Sequence, residues 1–182
     1  GWGWVVWFFR DPDREAPQRA GLILSPADGR VTDVTPVGPG SPLGREGVSV
    51  GIFMNIFDVH VNRSPCEGEV AAVEHRPGAH LDARRPAASE RNECAEIRLT
   101  CRPGGRLPIV VRQIAGIIAR RIVADAAVGQ RLRAGERIGM IKFGSRLEVL
   151  VPAAPGLDVK VRPGQKVLAG VTVLISLEDA QL

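Results

Sequence analysis

The chain has 182 residues, of which 45% are hydrophobic and 24% are charged. This length suits one domain with a substantial core, and the composition excludes a disordered or collagen-like chain. Glycine (21 residues) and proline (14 residues) are frequent, which favours short strands and turns over long helices. The net charge is +4, and the basic clusters lack interleaved aromatic residues. They therefore favour an anionic surface over nucleic acid as a partner.

The first nine residues, GWGWVVWFF, contain all three tryptophans and two of the five phenylalanines. This segment is too short to cross a bilayer, which needs about 20 apolar residues. Tryptophan-rich ends followed by charged residues suit a membrane interface, so we interpret residues 1–9 as the remnant of an N-terminal membrane anchor. The alternative is an aromatic strand packed on the core. Residues 10–182 are predicted to form a single domain.

Two internal repeats predict the fold. Residues 25–31 (SPADGRV) recur as residues 64–70 (SPCEGEV), each reading as a proline-led turn, a glycine of positive φ and an alternating strand. In a second repeat, the Gly-Gln and Ala-Gly pairs of residues 129–135 recur in residues 164–170. We therefore predict a mainly β protein with few short helices. It is a compact antiparallel domain with pseudo-symmetric repeats, and it resembles the barrel-sandwich hybrid of biotinyl and lipoyl domains.

Apolar and alternating runs predict further strands at residues 48–53, 57–61, 95–101, 107–112, 147–151 and 171–177. Residues 36–47 are rich in glycine and proline and are predicted to form a surface loop, with a second loop at residues 80–92. Residues 114–122 fit either a helical turn or a strand, because periodicity alone does not separate the two.

The three cysteines, Cys66, Cys94 and Cys101, are odd in number and form no Cys-x-x-Cys pair. This usage is typical of buried thiols in a reducing compartment rather than of a disulfide framework or a structural zinc site. Cys66, His75 and His80 match no known metal-site spacing. No metal site is therefore predicted.

Four places carry residues suited to chemistry. Gly144-Ser145 interrupts an apolar run, where glycine weakens a strand and permits close backbone approach. Asp28 lies in the first repeat turn, His60 in the run of residues 55–65, and Asn92 between Arg91 and Glu93. Serine, histidine and aspartate together suggest a hydrolase triad. Against this, the chain has no Gly-x-Ser-x-Gly motif, and a lone strand histidine is commonly a satisfied core residue.

Five motifs occur in order along the chain: residues 8–12 (FFRDP), 25–29 (SPADG), 53–65, 112–116 (RQIAG) and 142–145 (KFGS). Together they closely resemble the short, archaeal-type phosphatidylserine decarboxylases, and the resemblance runs from residue 8 to about residue 173. Members of this family are proenzymes (zymogens) of phospholipid biosynthesis that make their cofactor from the serine of the Gly-Ser pair.

The resemblance implies that the Ser145 hydroxyl attacks the Gly144 carbonyl and that the chain then breaks into residues 1–144 and 145–182, which stay associated. Ser145 becomes a covalent pyruvoyl group. The substrate amine forms a Schiff base with this group, which takes up the electron pair as CO₂ leaves. The product is phosphatidylethanolamine. We also expect glycine at position 144 because a side chain there would obstruct the attack.

The resemblance implies that His60 is the base that deprotonates Ser145 or the acid that later protonates the carbanion, with Asp28 orienting it. Longer relatives carry two histidines in this motif, and here Arg63 stands at the second position. One histidine serves both steps, or another group serves self-cleavage. Arg63, Asn92 and Arg146 are candidates for binding the substrate phosphate or carboxylate.

The expected partner is phosphatidylserine in an anionic membrane, with the enzyme on the cytoplasmic face, held peripherally or by its anchor. The sequence leaves open whether the enzyme forms a homo-oligomer. The basic stretch of residues 112–137 is either a solvated face or a phospholipid contact. One alternative is a pyruvoyl decarboxylase of a soluble amino acid, which the aromatic N-terminus and basic face disfavour. The other is a non-enzymatic binding module of biotinyl or lipoyl type.

Overall fold

The computed structural model describes residues 10–85, 87–102, 107–117, 122–141 and 144–177. The predicted anchor remnant, residues 1–9, lies outside the described residues, as do Lys142 and Phe143 of the KFGS motif. No helix in these described ranges is long and apolar enough to cross a lipid bilayer.

Strands dominate the described part of the chain, which confirms the predicted mainly β class. The only helix in that part is α1 (Ala88–Arg91). The strands are, in chain order, β1 (Leu22–Leu24), β2 (Gly29–Val37), β3 (Gly47–Met54), β4 (Val61–Arg63), β5 (Gly68–Arg76), β6 (Cys94–Cys101), β7 (Leu107–Ile114), β8 (Ile122–Ala124), β9 (Arg131–Leu132), β10 (Arg137–Ile141), β11 (Ser145–Pro152), β12 (Leu157–Val159), β13 (Lys166–Val167) and β14 (Val173–Leu177).

The largest sheet is antiparallel, has eight strands in the order β13-β2-β3-β11-β7-β6-β5-β9, and curls into a half-barrel. Two three-stranded sheets, β1-β14-β12 and β4-β10-β8, complete the fold. One apolar cluster joins the three sheets and includes Ile52, Val149, Ile138 and Ile175. Because strand side chains alternate between faces, β11 directs its odd-numbered residues to this core and its even-numbered residues to the opposite face.

The first pair of repeats forms two matching turns, which confirms the predicted pseudo-symmetry. Ser25 Oγ donates to the Ala27 carbonyl at 2.7 Å, and Ser64 Oγ donates to the Cys66 carbonyl at 2.7 Å. The turns also exchange backbone hydrogen bonds, since the amide before each serine donates to the other turn's proline carbonyl. The short polar side chains therefore close the same turn twice.

The second pair of repeats attaches to the first pair in equivalent ways. The Gly164 amide donates to the Val31 carbonyl at 2.8 Å, and the Gly129 amide donates to the Val70 carbonyl at 2.8 Å. The register shifts of β2 against β3 and of β5 against β6 also begin at Val31 and Val70. The fold is therefore built from two similar units that share hydrogen bonds.

The repeat glycines share tight packing rather than one backbone conformation. Gly29 has a φ of 151°, whereas Gly68 has no positive φ, so the positive φ predicted for both is correct only for Gly29. A methyl carbon on Gly29 would lie 2.2 Å from the Phe53 carbonyl oxygen, and one on Gly68 would lie 2.5 Å from that of Thr100. Close approach of the neighbouring strand requires both glycines.

The predicted strand at residues 57–61 is wrong, because a turn occupies most of it and β4 begins only at Val61. The Asn55 side chain accepts from the Phe57 amide at 2.7 Å, and the Asp58 side chain accepts from the Asn55 amide at 2.9 Å. Such side-chain bonds compete with strand pairing. Between β7 and β8, described residues 115–117 form neither of the structures considered for residues 114–122.

The structure pairs Cys66 and Cys101 in a disulfide, contrary to the free thiols expected for all three cysteines. Gly68 lies opposite Cys101 in the β5–β6 register, so the second repeat turn brings Cys66 beside Cys101. Cys94 is free and buried. Burial raises the pKa of its thiol to about 11.

We predict that Gly68→Ala lowers the free energy of unfolding by about 1–3 kcal/mol, because the added methyl group overpacks the β5–β6 contact. Gly40→Ala is the matched control, since a methyl carbon there meets nothing within 4 Å. Urea unfolding of both variants provides the measurement. Equal stabilities for the two variants would contradict the close-approach explanation.

Candidate active site

Ser145 is the first residue of β11 and is completely buried. It lies opposite Met54 in the pairing of β11 with β3. Its Oγ contacts the Met54 sulfur at 3.7 Å, a weak hydrogen-bond acceptor. The sheet thus holds a serine hydroxyl on the core side of the strand, away from bulk water.

Two buried amides extend this polar contact into the core. Asn62 Nδ2 approaches the same Met54 sulfur at 3.8 Å, and Gln113 Nε2 donates to Asn62 Oδ1 at 2.8 Å. Among the described residues, nothing forms a hydrogen bond with Gln113 Oε1. Both amides lie within the quoted motifs, but we assigned them no role. The sequence feature that marks both amides is a polar residue inside an apolar strand.

Gly144 precedes the serine with a φ of 63°. This left-handed conformation favours glycine over residues with a side chain. Outside its chain neighbours, a methyl carbon on Gly144 would meet no described atom within 4 Å. The structure therefore supplies a conformational reason for glycine before Ser145, whereas obstruction of the attack by a side chain stays a prediction.

His60 is buried directly before β4, and its carbonyl accepts from the Ile141 amide of β10 at 3.4 Å. Burial lowers the pKa of His60 to about 4. The positive charge of Arg10 lowers the pKa further. A backbone hydrogen bond at Asp58 and, as the smallest effect, the negative charge of Asp28 raise it. The imidazole is therefore neutral at neutral pH and able to accept a proton.

Asp28 is buried, and its carboxylate is engaged by two other residues. Arg14 donates to Oδ1 at 2.5 Å and to Oδ2 at 2.8 Å, and the Ala169 amide donates to Oδ1 at 2.8 Å. The hydrogen bond to Asp28 raises the pKa of Arg14. Asp28 acts on His60 through its charge, and the predicted orienting role stays a prediction.

Arg63 binds the start of the described chain to the repeats. Its Nη2 lies 2.5 Å from Asp11 Oδ1 and 3.2 Å from the Pro12 carbonyl oxygen. Its Nη1 donates to the Gly135 carbonyl at 3.0 Å. A substrate anion would compete with these acceptors for the guanidinium group.

Asn92 is fully buried and fastens residues 79–85 and 87–93, which we call the cover segment, to the end of β7. Its Nδ2 donates to the carbonyls of Leu81 and Ala115, each at 2.8 Å. Its Oδ1 accepts from the Leu81 amide at 2.9 Å. These contacts place Asn92 against Ala115, which is two residues beyond Gln113 in the chain, and substrate binding by Asn92 stays a prediction.

Arg146 follows Ser145 directly and therefore faces the opposite side of the sheet. Its Nε lies 2.9 Å from Glu148 Oε1, its Nη2 lies 2.8 Å from Asp33 Oδ2, and its Nη1 lies 2.7 Å from Thr32 Oγ1. These residues line a cleft of about 970 Å³. The structure thus brings Arg146 to a different face from Ser145.

Glu148 joins Arg146 to a second buried arginine. Arg112 Nη1 lies 2.7 Å from Glu148 Oε2, and Arg112 Nε lies 3.1 Å from Glu96 Oε1. Ser89 of the cover segment donates to Glu148 Oε1 at 2.5 Å. Because each buried charge has partners, this network avoids the large cost of an unpaired buried ion.

Comparisons with known proteins give the family. Residues 3–175 match the family model described as Phosphatidylserine decarboxylase. A phosphatidylserine decarboxylase proenzyme of Paramagnetospirillum magneticum is 43% identical over 181 residues, which cover 98% of this chain and 74% of that protein. The Symbiobacterium thermophilum proenzyme of the same description is 48% identical over 170 residues, which cover 93% of this chain and 77% of that protein.

A β fold with a buried serine at the start of a central strand, together with these matches, defines an enzyme, and specifically a decarboxylase. The chain belongs to the phosphatidylserine decarboxylase family. The resemblance inferred from the five motifs is thereby confirmed.

The depressed pKa of His60 predicts a defined pH dependence of stability. As pH falls from 6.5, the ordinary pKa, towards about 4, the unfolded chain binds a proton at His60 that the folded chain excludes. The contribution of His60 is therefore present above pH 6.5 and lost as pH falls through this window. Urea unfolding of two chains that both carry Ser145→Ala, and so are expected to stay uncut, should show a larger loss of stability between pH 7 and pH 4 with His60 than with His60→Gln. Parallel pH profiles would contradict the predicted shift.

Proposed function

We propose that this chain converts phosphatidylserine to phosphatidylethanolamine and CO₂, using a pyruvoyl group made from its own Ser145. The principal supporting observation is that Ser145 is completely buried and directly follows a glycine with a φ of 63°. The relatives' description as phosphatidylserine decarboxylase proenzymes supports both the substrate and a precursor that requires processing.

Self-cleavage begins when Ser145 Oγ loses its proton and attacks the Gly144 carbonyl carbon. The peptide C–N bond breaks, the Ser145 nitrogen takes up a proton, and an ester joins the two residues. Removal of the Ser145 Cα proton then expels the Gly144 carboxylate and leaves dehydroalanine at position 145. Its imine tautomer consumes one water molecule and releases ammonia, which leaves the pyruvoyl group at the new N-terminus.

Several described features suit this reaction. Burial of Ser145 limits access of water, which would otherwise compete by hydrolysing the ester. The Met54 sulfur is only a weak acceptor for the hydroxyl, so little hydrogen-bond energy is lost when Oγ turns to the carbonyl. His60, neutral at neutral pH, is the candidate proton acceptor, and Asp28 is the nearby charge that favours its protonated form.

The sheet also supports lasting association of the two fragments. β11 begins at Ser145 and pairs with β3 on one side and β7 on the other, and both partners belong to residues 1–144. β13 pairs with β2, and β14 pairs with β1. The fragment of 38 residues, 145–182, therefore keeps hydrogen bonds to the larger fragment along several strands.

The pyruvoyl group supplies a ketone that binds the substrate amine and accepts electrons as CO₂ leaves. The chain itself holds residue 145 at the end of central strand β11, beside the ends of β3 and β7. Exposed apolar side chains adjoin the same edge: Phe57 is 61% exposed and Ile117 is 59% exposed. These side chains favour a lipid substrate over a soluble amino acid. They also favour a lipid-binding enzyme over a non-enzymatic binding module.

We accordingly propose that the enzyme lies at a membrane in contact with anionic phospholipid, and the cytoplasmic face stays a prediction. The aromatic N-terminal segment and the net charge of +4 support this location.

Ser145→Ala should abolish both cleavage and decarboxylation while leaving the β fold intact, because the variant lacks the attacking hydroxyl. Intact-mass measurement should show fragments of 144 and 38 residues for the wild type and one chain for the variant. Circular dichroism checks the fold. Two fragments from the variant, or an intact wild-type chain with full activity, would contradict the proposed function.

Borohydride reduction should fix phosphatidylserine, rather than free serine, on the 38-residue fragment. The enzyme is incubated with each amine, reduced, and analysed by mass spectrometry, with Ser145→Ala as the control that has no ketone. A mass increase of lipid size is expected. Preferential attachment of free serine would instead support a decarboxylase of a soluble amino acid.

A further inference from the structure

Gly116 lies opposite the predicted cleavage point. In the antiparallel pairing of β7 with β11, Ile114 is the partner of Arg146. Continuing this register by two residues, past the end of β7 and the start of β11, brings Gly116 opposite Gly144. Gly116 is the last residue of the RQIAG motif, and nothing above gives it a role.

The Gly144 carbonyl occupies the space where a side chain on residue 116 would begin. A methyl carbon on Gly116 would lie 1.9 Å from the Gly144 carbonyl oxygen and 3.0 Å from its carbonyl carbon. A Cβ atom essentially never lies within 3.0 Å of an atom outside its own residue and chain neighbours. Any side chain at residue 116 would therefore force the two backbones apart by about 1 Å. Gly116 itself has no left-handed φ, so this contact is the obstacle to a side chain there.

The cover segment holds this backbone in place. The Ala115 amide donates to the Glu93 carbonyl at 2.9 Å, and its carbonyl accepts from Asn92 at 2.8 Å. The buried Ala83 methyl would lie 3.5 Å from a methyl carbon on Gly116. These contacts tether the backbone beside residue 116, so a side chain there would push on the Gly144 carbonyl.

We propose that Gly116 is a positioning residue for self-cleavage. Its missing side chain lets the Gly144 carbonyl rest against the β7 backbone, which fixes the carbonyl carbon for attack by Ser145 Oγ. Because reacting atoms must lie close together and aligned, a displacement of about 1 Å costs on the order of 100-fold in rate. This inference rests on the proposed self-cleavage, and it concerns the first step, formation of the ester.

The test compares Gly116→Ala with Gly47→Ala in the full chain. Gly47 is the first residue of β3 and lies opposite Pro152, at the end of β11 far from Ser145, and a methyl carbon there would lie 2.3 Å from the Val151 carbonyl oxygen. It matches the crowding without touching the cleavage point. Each chain is made by cell-free translation, and the appearance of residues 145–182 is followed by mass spectrometry. Circular dichroism reports how much sheet each variant retains.

We expect Gly116→Ala to cleave about 100-fold more slowly than the wild type and Gly47→Ala to cleave at nearly the wild-type rate. Because formation of the ester is the slowed step, no ester should accumulate in Gly116→Ala. Hydroxylamine, which cuts esters, should therefore release no additional fragment from it. A wild-type rate in Gly116→Ala, hydroxylamine-sensitive ester in it, or a loss of cleavage that parallels lost sheet in both variants would overturn the inference. An intact wild-type chain would instead refute the proposed function on which it rests.

Discussion

The pairing of β11 with β3 and β7 is the constraint on which the rest of this structure depends. It buries Ser145 at the strand's first position and gives Gly144 its place at the sheet edge. It also divides the strand's side chains between two faces, with the Ser145 hydroxyl on the core side and Arg146 on the other. Both faces of β11 are buried, so neither the serine nor the arginine can exchange sides without breaking the sheet.

The two faces are stabilised by different physics. On the core side, aliphatic residues such as Ile52 and Val149 exclude water and leave a few polar atoms with weak partners. On the other side, Arg146, Arg112 and Glu148 form a buried ion network with good hydrogen-bond geometry. The charged face anchors the strand, while the apolar face leaves the serine hydroxyl lightly bound. Ser145 is thus held firmly by its backbone and loosely by its side chain.

Local patterns in the sequence predicted the repeats, most strands and the Gly-Ser site, since turn residues and alternation act over short distances. The strand predicted at residues 57–61 failed because the Asn55 and Asp58 side chains capture backbone amides there. The alternation that places Ser145 on the core side also places Arg146 on the opposite face, although Arg146 was predicted as a substrate-binding residue beside Ser145. The contacts of Asn92 and Asp28 join residues distant in the chain, Ala115 and Ala169, and no short-range pattern reveals them.

Under the proposed self-cleavage, the interleaving of strands from both sides of residue 145 affects how the cleaved protein can refold. A single chain that unfolds can return by an intramolecular search, but a cut chain must reunite two molecules, and its refolding depends on their concentration. The smaller piece contributes central strand β11, so neither piece has a complete sheet alone. The proposed cleavage would therefore exchange reversible folding for kinetic stability, since the cut protein would have to last in the state in which it was first assembled.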